Sequence, residues 1–370
     1  MNVDTHPLLR SARELPQGLS ALLPQIAAEA ARVLAEVRLD GIRQVVITGS
    51  GDSYIAALGA TAAWRAGSAL PVATVPAMDA ARYFLSQATW HHTLLICASH
   101  SGEAARVIEA AQRGRAGGAR TLALTAHPGS RLGSACAHVL RLSARDSTSA
   151  PGTLSYCASL VALYCLILEQ AGSAGWSQPI TDLRGALAEM PALMASALTA
   201  SERVAVAWAE AWHSFRCVDV LGSGPGMGAA AFTAGKLVEA VGLYAGAQDL
   251  EEFFHLNYFV ADPASVGTVV YAPARAASAS RITELARALL ELGRPVLWIS
   301  DVPPEHESWY TITLPQVPEL LLPLLATMPA AILAAALGAR LGADSYRGQR
   351  GPWGSSRNAA LVRGSSIEPQ

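Results

Sequence analysis

The chain has 370 residues, 51% hydrophobic and 15% charged, so it can bury large cores and wholesale disorder is excluded. At ~100–200 residues per domain, two domains are expected. Its 27 basic and 29 acidic residues leave a formal net charge of −2, which gives no reason to expect nucleic acid or an anionic membrane as partner.

The N-terminus has no basic segment followed by an apolar core, so no signal peptide is expected. Residues 1–40 form a lead-in with one amphipathic helix at about 19–37. Next come a strand at Gln44–Thr48, a glycine turn at Gly49-Ser50-Gly51, and a helix from about Ser53. A second strand, Leu94–Ala98, runs into Ser99-His100-Ser101-Gly102-Glu103, which opens a helix. A third, Arg120–Thr125, ends at His127-Pro128-Gly129-Ser130. Strands alternating with helices imply a parallel sheet covered on both faces, and continuous apolar strands imply the same.

The pattern then repeats. Residues 45–51 read VVITGSG and residues 218–224 read VDVLGSG, an offset of 224 − 51 = 173 residues. The stretch around 120–125 has a partner at 293–300. The fold expected is α/β: two copies of one flavodoxin-like, three-layer module, at 41–198 and 199–345. Residues 346–370 are rich in Gly, Ser and Arg and read as a tail closing the site. The apolar stretch 318–338 carries Glu319 and two prolines within this pattern, so it reads as a buried helix rather than a membrane span. Cys97, Cys136, Cys157, Cys165 and Cys217 form no CxxC pair and sit in apolar runs. Reduced, buried thiols in a cytoplasmic protein are expected.

Several residues could carry chemistry. Ser99–Glu103 stands at a strand end and a helix start, where unpaired N–H groups and serine hydroxyls suit an anion. Ser53 adds a hydroxyl from the neighbouring strand end, the edge where open α/β sheets bind ligands. The alternative is a plain helix cap by Ser99 or Ser101, with Glu103 completing a capping box. Neither glycine turn is GxGxxG, so a dinucleotide is not expected, nor is any other cofactor. The nine histidines show no metal-ligand spacing.

One basic residue alone is a lysine, Lys236. Arginine replaces lysine on a solvated surface but not where a compact ammonium is needed, so Lys236 is a functional candidate. Glu239 lies three residues on, on the same helical face. The alternative is an exposed pair worth ~0.3–0.5 kcal/mol. Sixteen residues past Glu239 is His255, in the aromatic-rich EEFFHLNYF, where a packed structural histidine is the competing reading.

These residues resemble a known family. Ser99–Glu103 is similar to the SxSGE phosphate loop of sugar-isomerase (SIS) domains. Lys236, Glu239 and His255 are similar to the KxxE and GExxH elements of double-SIS proteins, among them the isomerase half of glucosamine-6-phosphate synthase and the fructosamine-6-phosphate deglycases. The resemblance runs from about residue 10 to the tail. It implies that Glu239 moves a proton between C1 and C2 of an open-chain sugar, that His255 opens the ring, and that Lys236 supports the enediol oxygen. It further implies that Ser50, Gly51, Asp52, Ser53, Ser99, His100, Ser101, Gly102, Glu103 and Gly152 surround the substrate, with Arg357 and Asn358 in the tail. The partners implied are a sugar phosphate or sugar derivative and, as a homodimer with shared sites, a second copy of the chain.

There are departures from the synthase pattern. His100 replaces the usual glutamine, and Ala104 the usual threonine. Asp52 puts a carboxylate where a neutral residue is usual, which would repel a phosphate. Leu361 occupies the position of the tail lysine, with Arg363 nearby, so a Schiff-base step there is not expected. The synthase's glutaminase half has no counterpart, and the chain is expected to make no ammonia from glutamine. Three functions follow: an aldose–ketose isomerase or deaminase acting on an amino-sugar or ketose 6-phosphate, a fructosamine phosphate deglycase, or a non-catalytic sugar-phosphate sensor.

Overall fold

The computed structural model describes residues 3–84, 89–146, 150–170, 183–211, 215–304, 306, 309–343 and 360–368. They fall into two compact units. The first module comprises the described residues of Gly18–Arg145, Leu154–Gly185 and Gly348–Gln370. The second comprises those of Met1–Gln17, Asp146–Thr153 and Ala186–Arg347.

The long first helix α1 spans Pro7–Val37. It starts well before the expected residue 19. Leu8, Ala12, Leu15, Leu19, Leu22, Ile26 and Val33 form one buried stripe, whose burial outweighs the backbone bonds lost at Pro16 and Pro24.

In the first module β1 (Gln44–Gly49), α2 (Asp52–Gly67), β2 (Val72–Pro76) and α3 (Ala77–Asp79, continued by a π-helical turn Ala80–Phe84) come first. They are followed by β3 (Thr93–Ala98), α4 (Ala105–Ala116), β4 (Arg120–Thr125), α5 (Arg131–Ala135), β5 (His138–Arg141) and α6 (Leu154–Gln170). The strands are all parallel, in the order β2-β1-β3-β4-β5. Strand alternation sends Val46, Leu95, Cys97 and Ala123 toward Val107 and Ile108 of α4 and Leu132 of α5. On the other face α2 packs against α6, tied by a hydrogen bond from Trp64 Nε1 to the Leu163 carbonyl.

Helix α7 (Leu183–Glu210) leads into the second module. It contains β6 (Cys217–Leu221), α8 (Pro225–Lys236, continued by a π-helical turn Leu237–Val241), β7 (Tyr244–Gln248), α9 (Leu250–His255) and β8 (Val266–Tyr271). Then follow α10 (Ala279–Glu291), β9 (Val296–Ser300), β10 (Tyr310–Thr313), α11 (Leu322–Leu325) and α12 (Thr327–Arg340). Its parallel order is β10-β9-β8-β6-β7. Counted within each module, both sheets read 2-1-3-4-5, the flavodoxin-like order. The expected internal repeat is therefore real in three dimensions, and the matched stretches at 120–125 and 293–300 hold the fourth strand of each sheet.

The apolar stretch around 318–338 contributes α11 and α12. By length and composition Glu319–Arg340 could cross a membrane, but 94% of its most apolar window is buried inside the protein. All five cysteines are free. Four are buried as expected, whereas Cys217, the first residue of β6, is half-buried. A hydrogen bond with Cys136, together with burial, pushes the Cys97 thiol well above its usual range.

Candidate active site

In each 2-1-3-4-5 sheet the chain leaves the first strand in one direction and the third in the other. A crevice opens between their carboxyl ends, where such sheets bind ligands. In the first module the register places Gly49 beside Ala98, so the turn after β1 and the loop after β3 are neighbours. Gly49 is needed there: a Cβ would lie 2.9 Å from Tyr54 N and 3.1 Å from the Ala98 carbonyl oxygen. Gly51, with φ 56°, then turns the chain into α2.

Ser53 and Ser99 are buried, at 7% and 6% exposure. Among the described residues neither hydroxyl makes a hydrogen bond, so each is available to a ligand at this edge. Ser101 Oγ accepts from the Glu103 N–H at 3.3 Å. Ser50 and Gly51 are exposed, and Asp52 and His100 are half-buried.

The loop itself is tightly made. Gly102 has φ +68°, and a Cβ on it would stand 1.9 Å from Ser130 Oγ. Its N–H donates to the Ser99 carbonyl at 3.0 Å, and its own carbonyl accepts from the Leu132 N–H at 3.0 Å. Thr125 Oγ1 donates to the His100 carbonyl at 3.1 Å.

The capping alternative fails. Helix α4 begins at Ala105 and its N-cap is Ala104, which has no side chain to cap with. Ser99–Glu103 is thus a loop ahead of the helix, not its first turn. Glu103 is engaged elsewhere: Arg131 Nε donates to Oε2 at 2.7 Å, and the Arg131 N–H donates to Oε1 at 3.1 Å. These bonds hold the Glu103 carboxyl below the usual carboxylate range.

Two residues at this edge escaped sequence reasoning. His127 packs edge-on against His100, ring centroids 6.5 Å apart, and Arg131 grips Glu103. Their signal was positional: both follow the end of β4, the neighbour of β3. Gly152 is half-buried and belongs to the second module, next to Thr153, whose N–H donates to Asp146 Oδ1 at 3.0 Å. Arg357 and Asn358 lie outside the described residues.

In the second module the sole lysine is fully enclosed. Lys236 is 0% exposed, and its Nζ lies 5.0 Å from the Phe232 ring centroid and 2.7 Å from Glu239 Oε2. The exposed-pair alternative therefore does not apply to the lysine. A buried ammonium needs a partner, and Glu239 supplies it while keeping 44% of its side chain exposed. Glu239 sits in the π-helical turn Leu237–Val241, closed by Gly242 in the left-handed region at φ 75°. Such single-turn widenings often mark functional sites.

His255, at the end of α9, is 65% exposed in its side chain, with Nε2 3.2 Å from Glu251 Oε1. It is no packed core residue. Leu256, Phe259 and Val260 beside it are exposed as well. Its segment is braced from both sides. Arg281 stacks on Phe254 at 3.9 Å and bonds Glu251 Oε2 at 2.7 Å. The buried Arg294 donates to Asp219 Oδ2 at 2.6 Å and to the Asn257 carbonyl at 2.5 Å.

The second module does not bring Glu239 and His255 together. Helix α8 and its π-helical turn pack on α12, and α9 packs on α10. Val270 of β8 faces Phe253 of α9, whereas the next residue, Tyr271, turns its hydroxyl to Thr233 of α8 at 2.7 Å. Strand alternation therefore puts the two helices on opposite faces of the sheet. Among the described residues no cluster of His, Cys, Asp and Glu could hold a metal ion.

Residues 38–169 match the SIS domain family. No curated protein matches the sequence. Among solved structures, the C-terminal domain of glucosamine-fructose-6-phosphate aminotransferase from Francisella tularensis superposes with a TM-score of 0.83 at 18% identity, covering 92% of this chain and 98% of that one. A protein described as a phosphosugar isomerase from Silicibacter pomeroyi gives 0.77 at 22% identity, covering 92% and 99%. Glucosamine-6-phosphate deaminase from Thermotoga maritima gives 0.66 at 17% identity, covering 89% and 97%. Residues 38–169 thus match an SIS domain, and the chain as a whole shares the two-module parallel α/β fold of these solved proteins.

Proposed function

We propose that the chain is a sugar-phosphate aldose–ketose isomerase or deaminase that moves a proton between C1 and C2 of an open-chain amino-sugar or ketose 6-phosphate. The observation that carries this reading is the pairing of a half-exposed carboxylate, Glu239, with the one lysine of the chain, itself fully enclosed. A positioned carboxylate is what proton abstraction next to a carbonyl requires.

In this reading the hydroxyls of Ser53, Ser99 and Ser101 hold the phosphate. Glu239 takes the proton from C1 of the ketose, giving an enediol, and returns it to C2 of the aldose. Lys236 keeps the carboxylate in place and stabilises charge developing on the sugar oxygen. His255 protonates and deprotonates the ring oxygen as the sugar opens. For an open-chain amino sugar the transfer runs the other way: Glu239 takes the proton from C2 and delivers it to C1, giving the C2 imine, which water hydrolyses to ketose and ammonia. The histidine comes from a second copy of the chain, because the sheet stands between Glu239 and His255 of one copy. Free, largely buried thiols suit a cytoplasmic setting.

Deglycation of a fructosamine phosphate is the second reading. It is favoured by His100, which meets His127 at the anion edge where the synthases carry glutamine, and by Leu361 in place of the tail lysine. A third, the sensor, would need no base.

The Glu239→Gln variant separates them. With fructose 6-phosphate, glucosamine 6-phosphate and a fructosamine 6-phosphate in deuterated water, the wild type should wash deuterium into the sugar and the variant should bind without exchange. Binding with no turnover of any of the three by the wild type would leave the sensor. Turnover of the fructosamine alone would select the deglycase.

A further inference from the structure

We propose that the C-terminal segment Arg363–Glu368 is a fixed part of the first module that positions the serine loop, acting through Arg131 and through a buried carboxylate, Glu109. The loop's task of holding a phosphate rests on the function proposed above; the mechanical coupling does not.

Glu109 lies in α4 with 0% exposure. Three guanidinium groups converge on it. Arg82 Nε donates to Oε1 at 3.2 Å, Arg113 Nη2 reaches Oε1 at 3.3 Å, and Arg106 Nη1 donates to Oε2. Three cations against one carboxylate leave an excess of positive charge and of N–H donors in a mostly enclosed place: the side chains of Arg106 and Arg113 are 12% and 14% exposed. Donors buried without acceptors are costly.

The C-terminal segment supplies the acceptors. Arg82 Nη1 meets Glu368 Oε1 at 2.8 Å, and Arg113 Nη2 donates to the Glu368 carbonyl at 3.3 Å. Arg106 Nη2 donates to the Ser366 carbonyl and to Ser365 Oγ. Ile367 packs on the apolar cluster formed by Val107, Ile108 and Leu132. One cation–carboxylate bond, guanidinium bonds to the segment's carbonyls and Ser365 hydroxyl, and the partly buried Ile367 together give the segment one seat.

The other end of the segment touches the loop's own clamp. Arg131 Nη2 donates to the Arg363 carbonyl at 2.6 Å and to the Glu103 carbonyl at 2.9 Å, while its Nε and its backbone N–H hold the Glu103 carboxylate. One guanidinium therefore bridges the C-terminal segment and the last residue of the serine loop. An exposed ion pair alone would contribute little, but four bonds from one residue fix both orientation and distance. Arg131 is a positioning residue, and the segment fixes its direction.

The test compares the full-length protein with a truncation ending at Val362, which removes the Arg363 carbonyl that Arg131 holds, and with the milder Glu368→Gln, by hydrogen exchange and mass spectrometry. Losing the bonds from Arg82, Arg106, Arg113 and Arg131 to this segment should speed exchange of segments 99–104 and 130–133 roughly ten-fold or more in the truncation. Glu368→Gln should give a smaller rise in the same two segments. Adding the peptide RGSSIEPQ, residues 363–370, to the truncated protein should slow them again. Unchanged rates in both segments, or a rise spread evenly over the whole first module, would overturn the proposal. Affinity for glucose 6-phosphate is read in parallel. If the wild type binds and the truncation binds about ten-fold more weakly, the positioning serves the anion. If the wild type binds none, the phosphate reading fails while the exchange data still decide the coupling.

Discussion

Glu239 and His255 stand on opposite faces of the second sheet, one on the helix that packs with α12 and the other on the helix that packs with α10. A site needing both must draw them from two copies, and that yields a complementation experiment. Glu239→Gln and His255→Ala should each be inactive. Mixed after subunit exchange, they should recover about a quarter of wild-type activity, because half of randomly paired dimers are mixed and each has one intact site. No recovery from a mixture shown by mass spectrometry to contain heterodimers would rule out a site shared in this way.

Lys236 is enclosed but does not hold the fold together by charge. Lys236→Met, close in volume, should change stability by less than about 1.5 kcal/mol while removing turnover. Lys236→Ala leaves a void and should cost about 2–5 kcal/mol. Urea denaturation alongside an activity assay checks both. A fully active Lys236→Met enzyme would remove the lysine from the chemistry.

Gly102 combines a positive φ with no room for a Cβ. Gly102→Ala should destabilise the first module by about 1–3 kcal/mol from backbone strain, with the clash against Ser130 added. Gly129→Ala, at an open position, is the control and should be near neutral. Thermal denaturation of the two variants distinguishes strain from a general intolerance of the loops.

His6 is buried with 0% exposure, and burial lowers its pKa from the usual 6.5. Among the described residues its Nε2 finds no hydrogen-bond partner, and it faces Gly338 of α12. The folded state therefore binds this proton less readily than the unfolded chain. The stability this provides is fully present above about pH 6.5 and declines as the pH falls below it. Urea midpoints at pH 5.5 and 8 should differ less for His6→Asn than for the wild type. An equal pH dependence in the two proteins would exclude His6 as its source.

The fold was largely legible in the chain. Continuous apolar strands followed by glycine turns, repeated 173 residues apart, imply two parallel-sheet modules, because only strands covered on both faces can be apolar throughout. The place of the serine loop was legible too: it stands at the end of β3, beside the turn after β1, as the chain order implied. Among the described residues the buried Ser53 and Ser99 hydroxyls make no hydrogen bond.

Other features were decided by tertiary structure alone. Side chains three apart reveal a shared helical face, but not that Lys236 is enclosed while Glu239 reaches solvent; that depends on how α8 packs against α12. Sixteen residues separate Glu239 from His255, a spacing that cannot reveal that a sheet passes between them. Glu103 looked like a capping partner because backbone N–H donors lay close by in sequence, whereas Arg131, 28 positions on, supplies the donors instead with several directed bonds. Local propensity and periodicity are written along the chain. Which partners meet across distant elements is settled only when burial removes water as the competing partner.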